Sequence, residues 1–397
     1  MPSRLAPLPM KDVLRPVPDI DLGALLVRLG ERARAYRFDT APNPCVGAAL
    51  LDSTGVVVAE GFHEHWGGPH AEIRCFDNAR AKGVPRERFD TLAITLEPCA
   101  STGKTGPCTE AILAAGVRRV VVGALDPDGR HRGAGLEWLN ARGVEVELRD
   151  GATPLEKVAP HFLRWTDYER VRRPRPWVIG KWAQTLSGQL SPPADVGQGR
   201  WISSPESLRD LQLLRAKVEA IATGVGTVRA DDPRLTVRPP ADPSNPPMRV
   251  IFDSELATPP GAKLFLPPGP GEGAGPVHIL TVAGASAPRH RELLDAGAKV
   301  HGLHPARDGR VNLRDALEWM WRMDVRRVLL EAGPRLLGAF FAAGFVDQLR
   351  IYTGNVRGGR GDSLAGVLAD LALEGRGDRE CGGDSVLEAF VVGVRRR

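Results

Sequence analysis

The feature that most constrains the fold is a regular alternation of strand-length and helix-length segments, interrupted once. Short apolar runs typical of buried strands alternate with segments of helical apolar spacing up to residue 148, and the pattern resumes at Trp177. Between these stretches, residues 169–176 are charged and proline-rich and carry no apolar period. Because such alternation is typical of helix-covered, largely parallel sheets, we predict an α/β protein with two domains, 21–168 and 177–397. Residues 169–176 are the predicted linker, and the last predicted strand ends at Tyr352.

Composition narrows the class of protein further. Residues 1–20 are proline-rich and are predicted to form an extension outside the fold. Lysine and arginine number 53 against 48 acidic residues, and aromatic residues make up 6% of the chain, which does not favour a nucleic-acid partner. Five cysteines are too few for a disulfide scaffold, and no apolar run approaches the roughly 18 residues that span a bilayer. We therefore expect a cytoplasmic protein without a membrane partner.

The strongest chemical motif is Pro69-His70-Ala71-Glu72 followed by Pro98-Cys99 and Pro107-Cys108. Each of these three segments is predicted to stand at a helix start that follows a strand. One imidazole and two thiolates make a tetrahedral zinc site with one open position, which is typical of catalytic zinc because the metal acidifies a water bound there. Residues two apart on a helix face different directions, so Glu72 is expected beside that water rather than on the metal. We assign Glu72 proton transfer in a hydrolytic deamination.

Other interpretations of these residues stay open. A structural zinc would need a fourth ligand nearby, for which Cys45 and Cys75 are candidates, although both are typical of core positions. The loop between the two ligand cysteines carries Lys104, which either binds an anionic substrate or is a solvated loop lysine. A zinc-stabilised protein without catalytic activity and a nucleic-acid deaminase are the rival functions.

The C-terminal half lacks a Gly-x-Gly-x-x-Gly motif at a strand-to-helix turn, which argues against a Rossmann site. Two other glycine-containing segments follow predicted strands, 223–227 and 331–334, and the second also precedes a predicted helix. Glycines after strands let backbone amides approach phosphates, and a helix N-terminus adds positive potential, although each segment alone is more often a simple turn.

Both halves resemble one family, the bifunctional deaminase/reductase of riboflavin biosynthesis. In the N-terminal half the resemblance rests on the zinc motif and on residues Pro42-Asn43-Pro44, Gly61-Phe62-His63, Leu96-Glu97-Pro98-Cys99, Gly103-Lys104-Thr105 and Gly133 to Gly135. In the C-terminal half it rests on Lys181, Trp201 to Pro205, Gln212 to Arg215, Gly226-Thr227-Val228, Asp231 to Arg238 and Phe252-Asp253-Ser254. The chain differs from the family at Ala100-Ser101-Thr102, where the family has Ser-His-His, and at Thr185 to Gly188, where it has Ser-Leu-Asp-Gly.

This resemblance implies a cytidine-deaminase-like three-layer domain followed by a dihydrofolate-reductase-like domain. It implies zinc on His70, Cys99 and Cys108, with Glu72 as the catalytic residue, and NADPH as the second cofactor. Substrate contacts are implied for Asn43, Lys104, Arg215, Leu235, Arg238 and Glu331. Cofactor contacts are implied for Gln184, Trp201, Thr227, Asp231, Ser254, Gly333, Pro334 and Leu336.

The resulting hypothesis is an enzyme that deaminates a phosphoribosylated diaminopyrimidinone and then reduces the ribosyl side chain to ribityl with NADPH. The alternatives are that one domain is inactive, or that the substrate is a related pyrimidine or pteridine-like phosphate. A small-molecule substrate and a homo-oligomer are the expected partners.

Overall fold

A computed structural model describes residues 20–101, 106–129, 131–166, 174–193, 202–242 and 244–394. The chain divides into two compact units, Met1–Thr166 and Asp167–Arg397. Most of the predicted N-terminal extension and the first part of the predicted linker, residues 169–173, lie outside the described residues. Among the described residues, no helix is long and apolar enough to cross a membrane.

The first unit contains a five-stranded sheet and helices on both of its faces. Its strands are β1 (Gly47–Leu51), β2 (Val57–Phe62), β3 (Thr91–Ile94), β4 (Arg119–Val122) and β5 (Glu145–Leu148). Its helices are α1 (Leu22–Ala33), α2 (Arg37–Thr40), α3 (Ala71–Ala81), α4 (Cys108–Ala115), α5 (Ala134–Asn140), α6 (Leu155–Val158) and α7 (Pro160–Trp165).

The strand order is β2-β1-β3-β4-β5, in which β1 pairs antiparallel with β2 and β3 and the remaining pairs are parallel. The hairpin that the turn residues predicted is thus confirmed, and it makes the sheet mixed rather than largely parallel. Alternate strand residues face opposite sides: Leu51 packs with α1, whereas Leu50 packs with α3 and α4. Helix, sheet and helix form three layers, and β3 and β4 end at the edge where the cysteine loop begins.

The second unit is built on a nine-stranded sheet and a small two-stranded sheet. Its strands are β6 (Trp177–Gln184), β7 (Gln189–Ser191), β8 (Ala220–Gly224), β9 (Met248–Phe252), β10 (Val277–Val282), β11 (Lys299–Leu303), β12 (Arg327–Glu331), β13 (Gln348–Thr353), β14 (Arg360–Ser363), β15 (Leu371–Cys381) and β16 (Asp384–Val394). Its helices are α8 (Pro205–Arg215), α9 (Val225–Asp231), α10 (Ala287–Asp295), α11 (Leu313–Arg322), α12 (Pro334–Ala342) and α13 (Ala365–Asp370).

The order of the large sheet is β11-β10-β9-β8-β12-β6-β13-β16-β15. Strands β6 to β13 in this sheet pair in parallel, as the alternation predicted, and β16 and β15 add an antiparallel edge. These two strands lie beyond the last element that the sequence predicted. Strand β15 was not predicted because it is largely exposed and charged and carries no apolar alternation. Since β8 and β12 are neighbours, the helices that follow them, α9 and α12, begin side by side.

The end of the predicted linker packs into the second unit. Arg175 is buried and donates two hydrogen bonds to the carboxylate of Asp347, at 2.6 and 2.8 Å. Asp347 also accepts a hydrogen bond from the backbone N–H of Val178, the second residue of β6. A charged residue that was expected in a linker therefore anchors the start of the large sheet of the second unit.

Candidate functional site

His70 stands at the N-terminus of α3 as its N-cap residue. Its backbone is extended, and its carbonyl accepts the hydrogen bond of Arg74 N–H that begins the helix. Its side chain makes no capping hydrogen bond, so the imidazole is available to groups beyond the helix. The sequence predicted a helix that begins near His70, and α3 begins one residue later, at Ala71.

The two cysteines come from the loop after β3 and from the start of α4. Cys99 lies in the loop, whereas the sequence argument placed it at a helix start. Cys108 is the first residue of α4, and its backbone N–H donates a hydrogen bond to Cys99 Sγ at 3.3 Å. The positive end of a helix therefore faces both sulfur atoms, which favours thiolates.

His70, Cys99 and Cys108 each offer a ligand atom, and these atoms lie within 4.8 Å of one another. His70 Nδ1 is 3.7 Å from Cys99 Sγ and 3.3 Å from Cys108 Sγ. A hydrogen bond from the Cys108 thiol and another from His70 lower the pKa of Cys99 to about 4, while the same contact raises the pKa of Cys108. One imidazole and two thiol groups at these distances are a donor set that fits a zinc ion with one position left open.

Glu72 is the second residue of α3 and is 3% exposed. Burial raises the pKa of its carboxyl group, so the carboxyl takes up a proton more readily than an exposed glutamate. Its carboxylate interacts with the Cys108 side chain and lies in the field of His70. This placement suits a group that accepts and returns a proton at the open position.

The other two candidate ligands belong to the core. Cys45 and Cys75 are buried, and burial raises the pKa of both thiols to about 12. Cys75 Sγ donates to the carbonyl of Ala59 at 3.5 Å. Their location agrees with the core interpretation and leaves the zinc group with three protein ligands.

Asn43 lies in the loop before β1. Its side-chain Nδ2 is 3.2 Å from Nε2 of His63, and His63 Nδ1 is 3.1 Å from the carbonyl of Pro69. The rings of His63 and His70 meet edge to face at 5.3 Å between centroids. Asn43 is thus tied to the ligand His70, whereas Lys104 lies outside the described residues.

Glu97 is a buried acid for which the sequence suggested no role. Its carboxylate accepts hydrogen bonds from the backbone N–H groups of Asp126, Gly133 and Gly135, at 3.1, 2.9 and 2.9 Å. A Cβ atom on Gly135 would stand 2.1 Å from the carbonyl oxygen of Pro98, so glycine is required for this approach. Glu97 therefore holds the loop after β4 against the cysteine loop; a buried acid at the end of a strand is the signal that could have indicated it.

In the second unit, the starts of α9 and α12 form a site rich in backbone donors. The backbone N–H of Gly333 donates to Thr227 Oγ1 at 3.1 Å, which joins the two helix starts. A Cβ on Gly226 would have no neighbour within 4 Å, so the backbone there is open to a ligand. Pro334 occupies the first turn of α12, and Leu336 packs near Gly224. Two adjacent helix N-termini fit the pyrophosphate of a dinucleotide such as NADPH.

Beside these helix starts lies a buried group of charges. Arg215 Nε and Nη2 donate to the two carboxylate oxygens of Glu331, at 2.7 and 3.0 Å, and Arg215 Nη1 donates to the carbonyl of Thr236 at 2.9 Å. Lys181 Nζ is 4.0 Å from Glu331 Oε2. Despite burial, Arg215 and Lys181 lower the pKa of Glu331, while burial lowers the pKa of Lys181.

The remaining predicted residues of this unit are spread over several segments. Gln184 accepts a hydrogen bond from Trp182 Nε1 and donates to Thr353, and Ser254 Oγ accepts from Val311 N–H. Asp231 is exposed at the end of α9, and Arg238 is exposed beside the group of charges. Leu235 is buried with a φ of 53°, a left-handed conformation that costs a leucine energy and is found at binding sites. Trp201 lies outside the described residues.

Two family models match the chain, one in each of the two units. The cytidine and deoxycytidylate deaminase zinc-binding region matches residues 23–124, and the RibD C-terminal domain matches residues 176–374. The first match contains His70, Glu72, Cys99 and Cys108. The predicted cytidine-deaminase-like domain followed by a reductase domain is therefore confirmed, with zinc and NADPH as the cofactors that these domains imply.

Whole-chain comparisons agree with these matches. The riboflavin biosynthesis protein RibD of Aquifex aeolicus is 34% identical over 353 residues, which are 88% of this chain and 90% of that protein. RibD of Escherichia coli is 33% identical over 82% of this chain and 86% of its own length. Among solved structures, Acinetobacter baumannii RibD has a TM-score of 0.64 at 27% identity, covering 94% of this chain and 99% of that one. A deaminase/reductase from Thermotoga maritima has a TM-score of 0.60 at 26% identity, covering 93% and 99%. On this evidence of sequence and fold, the chain belongs to the RibD family, the bifunctional deaminase and reductase enzymes of riboflavin biosynthesis.

Proposed function

We propose that this enzyme deaminates 2,5-diamino-6-(5-phosphoribosylamino)pyrimidin-4-one at the His70, Cys99 and Cys108 site and reduces the product at the second site. The observation that carries the proposal is the meeting of three metal-ligand atoms within 4.8 Å beside the buried carboxyl of Glu72. The substrate is taken from the name of the Thermotoga maritima protein, a diaminohydroxyphosphoribosylaminopyrimidine deaminase and 5-amino-6-(5-phosphoribosylamino)uracil reductase.

In the first reaction, water replaces the amino group of the pyrimidine carbon, a carbonyl forms and ammonia leaves. Zinc on His70, Cys99 and Cys108 supplies the acidity that makes water a nucleophile at neutral pH. Glu72 accepts the proton of the attacking water on its carboxylate and returns protons to the departing amine. Asn43 and Lys104 are proposed to hold the substrate, and Glu97 keeps the neighbouring loop in place.

In the second reaction the sugar ring opens, its first carbon gains a hydride that bound NADPH would supply, and the attached nitrogen gains a proton from solvent, so that the ribosyl group becomes ribityl. We propose that two helix starts bind the pyrophosphate of the cofactor, one with Thr227 and the other with Gly333, Pro334 and Leu336. We also propose four further cofactor contacts, namely Gln184, Trp201, Asp231 and Ser254. Arg238, exposed beside Glu331, is proposed to bind the sugar phosphate. We propose further substrate contacts for Arg215, Leu235 and Glu331. Arg215 donates hydrogen bonds to Glu331 and to the carbonyl of Thr236, the residue after Leu235.

The experiment that tests the proposal incubates zinc-loaded protein with the diaminopyrimidinone substrate, with and without NADPH. Ammonia release and loss of NADPH absorbance are followed in parallel. Both signals are expected, and ammonia release is expected without NADPH. Ammonia without NADPH oxidation would reject the second half of the proposal, and the absence of both from zinc-loaded protein would reject this substrate.

The domain limits and the setting of the enzyme are part of the same proposal. The deaminase domain is proposed to span residues 21–168 and the reductase domain residues 177–397, with residues 169–176 between them. We further propose a homo-oligomer in the cytoplasm, where a reducing environment would keep the thiol ligands Cys99 and Cys108 reduced. Light scattering of the purified protein measures the oligomeric state.

A further inference from the structure

A buried histidine outside both reaction sites contacts the deaminase site from the last helix of the first unit. His161 lies in α7 and is 1% exposed. Its Nε2 is 3.0 Å from the backbone carbonyl oxygen of Asn43, a residue 118 positions earlier in the chain. Because a carbonyl only accepts hydrogen bonds, His161 donates, and its proton is on Nε2.

Further hydrogen bonds connect the side chain of Asn43 with the segment that carries the metal ligand His70. Asn43 Nδ2 lies 3.2 Å from His63 Nε2, and His63 Nδ1 lies 3.1 Å from the carbonyl oxygen of Pro69, the residue before His70. The carbonyl of Pro69 requires His63 to carry its proton on Nδ1. Nε2 of His63 is then an acceptor, and the Asn43 amide donates to it.

These hydrogen bonds form a single series in which every donor meets an acceptor. The series runs from His161 to Asn43, from Asn43 to His63 and from His63 to Pro69. It needs a neutral His161, and burial lowers the pKa of His161 to about 4. At neutral pH the ring of His161 therefore has one donor and one acceptor nitrogen, as the series requires.

We propose that His161 is a positioning residue of the deaminase site, which fixes the Asn43 loop through its backbone and so aims the Asn43 side chain. His161 acts through Asn43, whose backbone carbonyl it contacts. The proposal rests on the proposed function in one respect, namely that Asn43 contacts the substrate. It adds a residue from the end of the domain, for which no motif in the sequence indicates a role.

The contribution of His161 is a directed hydrogen bond rather than volume alone. A glutamine at position 161 places an amide N–H near the position of the imidazole Nε2, whereas an asparagine is too short and resembles Nδ1. A phenylalanine keeps the ring volume and lacks any donor. Comparing His161→Gln, His161→Asn and His161→Phe therefore separates the hydrogen bond from packing.

In the zinc-loaded full chain, His161→Phe and His161→Asn are expected to raise the KM of the deamination about tenfold, with kcat changed less than about threefold. His161→Gln is expected to stay within about twofold of the unchanged protein in both constants. Zinc content and NADPH oxidation on the separately supplied deaminated intermediate should not change in any variant. A Phe variant with an unchanged KM, or a Gln variant as impaired as Phe, would overturn the proposal.

A second measurement needs no variant and no substrate. Nitrogen-15 NMR of histidine-labelled, zinc-loaded enzyme reports which ring nitrogen carries the proton. We expect Nε2–H on His161 and Nδ1–H on His63, and either opposite tautomer would break the series. If the unchanged enzyme releases no ammonia, the proposed function fails by itself, and the tautomers still decide for or against the contact of His161 with Asn43.

Discussion

The two candidate sites of this chain are built in different ways. The deaminase site takes its ligands from three side chains at the end of a loop and at two helix starts, and their donor atoms meet within 4.8 Å. The reductase site draws on backbone amides at the starts of α9 and α12 and on a buried group of charges around Glu331. A metal ion is bound by particular side chains in one place, whereas the phosphates of a dinucleotide can be bound by backbone N–H groups, which many different sequences can supply.

This difference determines how the activity and the stability of each domain respond when a group is removed from its site. Loss of the metal or of its proton carrier should stop one reaction and leave the fold and the other reaction intact. Loss of a charge around Glu331 should affect stability as well as activity, because the group is buried and its members depend on one another.

The largest effect is expected from removal of zinc. A strong chelator should reduce ammonia release to the limit of detection, because His70, Cys99 and Cys108 alone cannot activate water. NADPH oxidation on the deaminated intermediate should remain within about twofold, and added zinc should restore ammonia release. Deamination that persists in metal-free protein, verified by elemental analysis, would contradict the zinc assignment.

The next largest effect is expected from Glu72→Gln. The amide keeps the size of the side chain and cannot accept a proton, so kcat of the deamination should fall about 1,000-fold. Zinc content should stay at the level of the unchanged protein, because the carboxylate is outside the group of three ligands. Loss of zinc together with activity would instead make Glu72 a ligand.

These two predictions concern residues that the sequence already indicated. His70, Glu72, Cys99 and Cys108 fall in short segments whose spacing is sufficient for recognition, because each must supply one defined chemical group. The hairpin and the parallel strands were also predictable, since apolar runs and turn residues are local features. The loop position of Cys99 depends on tertiary contacts, and there the sequence was misleading.

In the reductase domain, Glu331→Gln should have the largest effect. It removes the charge that faces Arg215 and Lys181, so both cations stay buried without their carboxylate. We expect the free energy of unfolding of this domain to fall by about 3 kcal/mol and NADPH oxidation to fall with it. Thermal and urea unfolding measure the first change.

A matched control is Glu272→Gln, which breaks a more exposed ion pair, with Arg234. It should cost less than about 1 kcal/mol. Equal losses from the two variants would mean that burial of the Glu331 group does not contribute as proposed.

A smaller effect is expected from Glu97→Gln in the deaminase domain. The amide can no longer accept charge-assisted hydrogen bonds from Asp126, Gly133 and Gly135 together, which should cost about 2 kcal/mol of stability. Zinc should be retained, because Glu97 is outside the group of ligands. Unfolding monitored with and without zinc tests this; an unchanged midpoint would show that the three hydrogen bonds are not needed.

Glu97 and His161 also show why part of the site could not be predicted. Glu97 meets backbone groups 29 to 38 residues later, and His161 meets a carbonyl 118 residues earlier. Backbone partners have no side-chain identity, so neither contact leaves a motif in the sequence. In the reductase domain the same applies to Thr227, whose partner is the amide of Gly333.

The smallest effect is expected from Arg238→Ala. The sequence assigned Arg215 and Arg238 alike to the sugar phosphate, but Arg215 binds Glu331 and Thr236, whereas Arg238 is exposed. Arg238→Ala should therefore raise the KM of the reduction about tenfold, or about 1.4 kcal/mol, and leave unfolding unchanged. Arg215→Ala should destabilise the domain, because Glu331 loses its bidentate partner. If Arg238→Ala lowers stability and leaves KM unchanged, the exposed arginine serves the fold, and other groups must bind the phosphate.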